Sequence, residues 1–153
     1  MHVFLIRHAH AVDGPVDAAR ELSPKGVEQI RVVAKFLRGA DALDAAEFWH
    51  SPLVRSRDTA ALLARRLRTG AKLVEVGGLR PEDDPRVLAR KLDVRREPVA
   101  VVGHEPHLGA LASLLVTDAA VPPRFVFKKG AVLRLDRSEG AWVARWQIGP
   151  ELL

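Results

Sequence analysis

Short apolar segments alternate along the chain with longer segments whose apolar residues recur at helical spacing. Val3–Ile6 and Pro98–Val102 are almost entirely apolar without alternation, a pattern typical of strands buried on both faces. We predict further strands over 47–50, 72–76, 125–127, 131–136 and 141–148. We predict helices over 22–38, 51–68, 86–92 and 106–116. This alternation predicts a three-layer α/β/α fold, in which helices flank an open, mostly parallel sheet that ends in antiparallel strands.

The same dipeptide marks the start of two predicted helices. Ser23-Pro24 and Ser51-Pro52 each combine a capping hydroxyl with a residue suited to the first helical turn. Gly39 and Gly70 are typical of helix ends. One face of the first helix is predicted to carry its buried residues: Val27, Ile30, Ala34 and Leu37.

The composition narrows the class of protein. The chain has 153 residues, no cysteine and a formal net charge of +5. This length suits a single domain over 1–153, and the absence of cysteine excludes a disulfide framework, a thiolate nucleophile and a cysteine-ligated metal. No signal peptide or bilayer-spanning segment is recognisable, so we expect a cytoplasmic protein without a membrane partner. The basic charge favours anionic partners, but without an aromatic stacking platform we expect no nucleic-acid partner.

The two buried strands each deliver a histidine at their carboxyl ends, His8 after "VFLIR" and His104 after "VAVVG". Ligands of open α/β sheets bind outside the carboxyl ends of the strands. If these strands are neighbours, both imidazoles face one crevice. Arg55, near the start of the second helix, can reach the same edge, whereas Arg57 points to another face. Arg7 precedes the first histidine.

Two arginines and two histidines suit phosphoryl chemistry. Guanidinium groups match the oxygens of a phosphate, and a transferring phosphoryl group needs fixed positive charge around it. A neutral histidine can attack phosphorus through one ring nitrogen if the other carries the hydrogen, held by an acceptor such as a backbone carbonyl.

Three ordered motifs resemble those of the histidine phosphatase superfamily, the phosphoglycerate-mutase-like proteins. Arg7-His8-Ala9 resembles the family's strand-terminal Arg-His-Gly, and Ser51–Ala60 matches its Ser-Pro-x-x-Arg motif. Gly103-His104 matches the second histidine. The compact length and the closing segment over 132–150 resemble the small SixA-like branch of phosphohistidine phosphatases, and the resemblance covers essentially the whole chain.

The resemblance implies a role for each matching residue. His8 would be the nucleophile that becomes phosphorylated, and Arg7 and Arg55 would bind the phosphoryl oxygens. His104 would donate a hydrogen bond to them in the transition state. No metal or other cofactor is implied. Ala9 departs from the family's glycine, which has easier access to positive φ.

The resemblance leaves the general acid open. Glu105 follows the second histidine, and Glu82 and Asp83 lie in a loop where relatives place a carboxylate. A phosphohistidine substrate has a nitrogen leaving group that is easily protonated, so no dedicated acid is required for it. The implied partner is a phosphorylated substrate, with a histidine-phosphotransfer protein and a small phosphorylated metabolite both open.

Other interpretations of these residues also remain open. His8, His10, His104 and His107 are compatible with a metal hydrolase, which would leave Arg7 unexplained. The same pocket would also serve a non-catalytic module that binds phosphate or a phosphoprotein.

Three residues outside the motifs have two interpretations each. His10 is a candidate substrate contact or a residue of the rim. Lys128 and Lys129 precede Gly130, where they suit either an acidic partner or a solvated turn.

Overall fold

The computed structural model describes residues 1–153 and contains six strands and four α-helices, which confirms the α/β prediction. None of the helices is long and apolar enough to cross a membrane. The strands are β1 His2–Arg7, β2 Glu47–His50, β3 Lys72–Glu75, β4 Val99–Gly103, β5 Val132–Ser138 and β6 Ala141–Ile148. The helices are α1 Pro24–Gly39, α2 Val54–Leu67, α3 Pro85–Asp93 and α4 His107–Thr117. Two short 3₁₀ helices, Asp17–Ala19 and Pro150–Leu152, were not predicted.

The six strands form one sheet in the order β3-β2-β4-β1-β5-β6. The pairs β3–β2, β2–β4 and β4–β1 are parallel, whereas β1–β5 and β5–β6 are antiparallel. β1 and β4 are therefore neighbours, with Arg7 opposite Gly103 at their carboxyl ends. The residues that follow, His8 and His104, leave the same edge of the sheet side by side.

Each face of the sheet packs against a pair of helices. Val3 and Leu5 face the core beneath α3 and α4, and Phe4 and Ile6 face the core beneath α1 and α2. The central strands contribute to both cores because successive side chains point to opposite faces. Their near-complete burial explains why these segments are apolar without alternation.

Two predicted details are wrong. The segment 125–127 is not a strand, because its carbonyls are used by side chains: Phe127 accepts from Arg7 Nη1, and Val126 accepts from Gln147 Nε2, both at 2.7 Å. Ser51 does not cap α2, which begins at Val54.

The buried face of α1 is also not quite the predicted one. Ser23 caps the helix as expected, accepting from the Gly26 N–H at 3.0 Å. Val27, however, is 39% exposed, and Gly26 and Val33 are buried beside Ile30.

The helix turns Gly26 inward because residue 26 lies against the backbone of His10, where any side chain would overlap the carbonyl oxygen. We therefore predict that Gly26→Ala destabilises the protein by about 1–3 kcal/mol, the usual cost of overpacking, although alanine is the better helix former. Gly39→Ala is the matched control, because nothing lies within 4 Å of the added carbon. Urea denaturation of both variants would measure the difference, and equal midpoints would contradict this packing.

Candidate active site

The end of β1 holds the backbone and ring of His8 in place. Its backbone N–H donates to the Gly103 carbonyl at 2.9 Å, which extends the β1–β4 pairing by one residue. Nδ1 lies 2.7 Å from the Ala9 carbonyl oxygen. Because a carbonyl only accepts, Nδ1 carries the hydrogen and Nε2 keeps a free lone pair.

Ala9 fits its position without glycine's freedom. It is fully buried, its N–H donates to Thr59 Oγ1 at 3.0 Å, and its φ is not in the left-handed region. The departure from the family's glycine therefore carries no backbone strain here.

The ring of His104 lies beside that of His8. The two ring centroids are 5.0 Å apart and the planes are inclined by 50°. Nε2 of His104 lies 2.6 Å from Ser51 Oγ, which also accepts from the Leu53 N–H at 3.3 Å. Nδ1 of His104 is buried without a hydrogen-bond partner. An unpartnered polar atom beside the other ring is a group available to a ligand.

Burial keeps both imidazoles neutral at pH 7. It lowers the pKa of His8 to about 4, although the hydrogen bond to Ala9 raises it, and the charges of Arg55 and Arg7 lower it further. Burial also lowers the pKa of His104 to about 3, with His8 and Arg55 as further causes. The site thus combines two neutral rings with two fixed cations.

Arg55 lies in the first turn of α2 and is buried. Its Nη1 donates to the Asp17 carbonyl at 3.0 Å, and its Nη2 lies 3.3 Å from Asp17 Oδ2. No local pattern in the sequence pointed to Asp17, because the contact spans 38 residues. Arg57 is exposed beside Asp58, on another face as predicted.

Some of the hydrogen-bond donors of Arg7 have partners within the protein and others have none. Its Nη1 donates to the Phe127 carbonyl at 2.7 Å, whereas its Nε is buried without a partner. Burial lowers its pKa, and the charge of Glu105 raises it. The segment 125–127 therefore serves as a support for Arg7.

The candidate general acids do not form hydrogen bonds to His8 or His104. Glu105 folds back to accept the Gly109 N–H at 2.7 Å in the first turn of α4. Glu82 is exposed in the loop after β3 and makes no contact to the site, and Asp83 accepts the Arg80 N–H at 2.9 Å.

The remaining candidates, His10 and the two lysines, lie close to His8 along the chain or in space. His10 Nδ1 lies 2.6 Å from Ser23 Oγ, and its N–H donates to Gln29 Oε1 at 2.9 Å. The charge of Lys129 lowers the pKa of His8, and Lys128 is exposed in the same turn.

The four histidines of the metal-hydrolase interpretation do not form one cluster that could hold a metal ion. His107 is 2% exposed and neither of its ring nitrogens makes a hydrogen bond, although the Gly78 carbonyl is close enough to raise its pKa. No group of three or more His, Asp or Glu side chains is arranged to hold a metal ion. The donors instead form a pair of rings flanked by arginines.

Ser51 is the site residue whose role the sequence did not reveal. The Ser-Pro pair suggested a helix cap, but the hydroxyl contacts His104 across 53 positions of the chain. The useful signal was the longer motif that contains Ser51 and Arg55, since a cap alone does not require the arginine.

Comparisons with known proteins identify relatives that match nearly the whole chain. The SixA phosphohistidine phosphatase of Escherichia coli K12 is 28% identical over 155 residues, which cover 98% of this chain and 94% of that protein. A solved structure of the protein histidine phosphatase SixA complexed with tungstate matches with a TM-score of 0.88, 24% identity and 99% coverage of both chains. The α-ribazole phosphatase of Shigella flexneri shares the fold at a TM-score of 0.77 and 18% identity, with 95% of both chains covered.

The family model of the histidine phosphatase superfamily (branch 1) matches residues 3–80. The matched segment contains Arg7, His8, Ser51 and Arg55, the residues of the first two motifs. The chain belongs to the histidine phosphatase superfamily.

Proposed function

We propose that this phosphatase hydrolyses phosphohistidine in proteins through a phosphorylated intermediate on His8. The observation that carries the proposal is the pairing of a neutral His8, whose Nδ1 is held by the Ala9 carbonyl, with the ring of His104 at 5.0 Å. A histidine that only stabilises a fold does not require a free Nε2 beside a second neutral ring and two cations.

The reaction would proceed in two displacements at phosphorus. In the first, Nε2 of His8 attacks and forms an N–P bond while the bond to the substrate nitrogen breaks; with a hydrogen on its other ring nitrogen, the substrate imidazole leaves as a neutral ring. In the second, water attacks the phosphoryl group on His8. The bond to Nε2 breaks, inorganic phosphate leaves, and the neutral ring is restored.

Positive charge and hydrogen-bond donors would stabilise the transferring group. Arg7 and Arg55 supply the charge, and the Ser51 hydroxyl, donating to Nε2 of His104, leaves Nδ1–H of that ring free to donate to a phosphoryl oxygen. In the free protein Nη2 of Arg55 contacts the Asp17 carboxylate. We infer that phosphoryl oxygens compete with this carboxylate for the guanidinium group.

The positions of the carboxylates support a nitrogen leaving group. Glu105 accepts the Gly109 N–H and Glu82 is exposed, and neither forms a hydrogen bond to the two histidines or the two arginines of the site. A phosphoester would need an acid to protonate its leaving oxygen, whereas an imidazole leaving group is readily protonated. The names of the SixA relatives agree with this substrate class. A histidine-phosphotransfer protein is the partner that we propose.

A substrate panel tests this function. We predict that phosphohistidine peptides are hydrolysed with kcat/KM at least about tenfold higher than phosphoserine or phosphotyrosine peptides and sugar phosphates, because an imidazole leaves without help from a dedicated acid. Release of inorganic phosphate is the measurement. Preference for a sugar phosphate would instead support a metabolite phosphatase, and stoichiometric binding without release would support a binding module.

Two neighbouring arginines provide the matched variants for this panel. Arg55→Ala should lower kcat/KM for the phosphohistidine peptide about 10²–10³-fold, the usual cost of one preorganised donor. Arg57→Ala removes the same charge two residues away on an exposed face and should leave kcat/KM unchanged. Equal effects of the two substitutions would remove Arg55 from the proposed pocket.

The low pKa of His8 can be tested by following the titration of its ring. NMR titration of the free protein should give a midpoint near pH 4 for this ring, well below the ordinary value. Bound vanadate should raise that midpoint, because an adjacent anion favours the charged ring.

Between pH 6.5 and 4 the unfolded state binds more protons than the folded state, so the free energy of unfolding should fall as the pH is lowered. A midpoint near pH 6.5 would contradict a buried, neutral nucleophile.

A further inference from the structure

Two lysines lie in the turn that abuts the nucleophile. Lys128 and Lys129 precede Gly130, whose N–H donates to the backbone carbonyls of Arg7 and His8 at 3.1 and 3.3 Å. Lys25 adds a third amine from the first turn of α1. The turn is thus attached to the end of β1, and its lysines have a fixed relation to the site.

These three lysines line one groove of about 440 Å³ together with Gln29 and Pro150. We call it the lysine groove. Gln29 accepts the backbone N–H of His10, two residues after His8, at 2.9 Å. The groove therefore begins beside the proposed phosphorylation site and leads away from it towards the end of the chain.

No lysine of the groove forms an ion pair within the protein, although the charge of Asp13 acts on Lys129. None of the ion pairs in the structure contains a lysine. Glu28 also lines the groove, but both of its oxygens bond Arg31, at 2.6 and 2.7 Å. Glu151, the other carboxylate there, pairs with no lysine either.

The lysines also affect one another and the nucleophile. Burial lowers the pKa of Lys129, and the charges of Arg7, Arg20 and Lys25 lower it further. The same lysine lowers the pKa of His8. Like charges this close are unfavourable in the free protein, and carboxylates from a partner would relieve the repulsion.

We propose that the lysine groove binds an acidic protein surface that flanks the phosphohistidine of the substrate. The inference rests on the proposed function, and it adds the charge of the partner and the place where the partner binds. An acidic protein suits the groove better than a nucleic acid, because no aromatic side chain lines it to stack against bases. Such complementarity mainly accelerates association and fixes the orientation of the partner.

Two phosphohistidine peptides of equal length test the proposal, one with glutamates and one with lysines on both sides of the phosphorylated residue. The wild type should have a kcat/KM about tenfold or more higher for the glutamate peptide. Lys25→Glu/Lys128→Glu should abolish or reverse this preference, and added salt should reduce it in the wild type. These two lysines are outside the proposed catalytic group, so turnover of p-nitrophenyl phosphate should be unchanged.

A matched control places the same charge change in a second basic groove. That groove, of about 620 Å³, lies between α1 and α2 and contains Lys35 and Arg65. Lys35→Glu/Arg65→Glu should retain the preference for the glutamate peptide. If both double variants lose it equally, net charge is the cause and the docking surface is refuted.

The remaining outcomes separate the docking surface from the function. Equal rates for both peptides in the wild type would refute the docking surface and leave the phosphatase function standing. Equal loss of peptide and p-nitrophenyl phosphate turnover in Lys25→Glu/Lys128→Glu would also refute it, since the lysines would then act on the site itself. If the wild type hydrolyses p-nitrophenyl phosphate and neither peptide, the proposed substrate class is wrong and the docking surface is refuted with it. Turnover of no substrate would reject the proposed function.

Discussion

One backbone hydrogen bond, from the N–H of His8 to the Gly103 carbonyl at 2.9 Å, joins the ends of the two central strands. It continues a parallel register in which Arg7 lies opposite Gly103, so the next residue of each strand is a histidine at the same edge. Both strands are buried on both faces, and rigid packing on either side prevents them from sliding. The separation of 5.0 Å between the two rings follows from this pairing.

The same burial sets the electrostatics of the site. It lowers the pKa of both imidazoles, while Arg7 and Arg55 supply the positive charge of the site. A neutral nucleophile next to fixed positive charge is what attack on an anionic phosphoryl group requires. Catalysis in this account therefore needs no movement of the strands, only the exchange of Asp17 for phosphoryl oxygens at Arg55.

The sequence predicted the features that depend on local pattern. Residues that are neighbours in the sequence determine these features. They are the buried strands that end in His8 and His104, the capped start of α1 and the alternation of strands and helices. The family resemblance, which rests on three ordered motifs, supplied the grouping of distant residues that no local pattern contains.

Contacts between distant segments account for what was missed. The Ser51–His104 and Asp17–Arg55 hydrogen bonds span 53 and 38 residues, so the periodicity of a helix or strand cannot predict them. Trp142 and Trp146 lie four residues apart in β6, a spacing that places both side chains on one face of a regular strand. A β-bulge opposite Arg134 and Leu135 shifts the register between them, so that Trp142 packs in one core and Trp146 against the other. Segment 125–127 looked like a strand because all three of its residues are apolar and favour strands, but the carbonyls of Val126 and Phe127 accept hydrogen bonds from side chains.

The proposed mechanism depends on which atom of which residue receives the phosphoryl group. Rapid mixing with a phosphohistidine peptide, an alkaline quench and mass spectrometry with ³¹P NMR would locate it, with His8→Ala as the comparison. We expect phosphate on Nε2 of His8 and none in the variant, because the Ala9 carbonyl holds Nδ1. Phosphate on Nδ1, on His104 or on any other residue, or unimpaired turnover by His8→Ala, would contradict the mechanism.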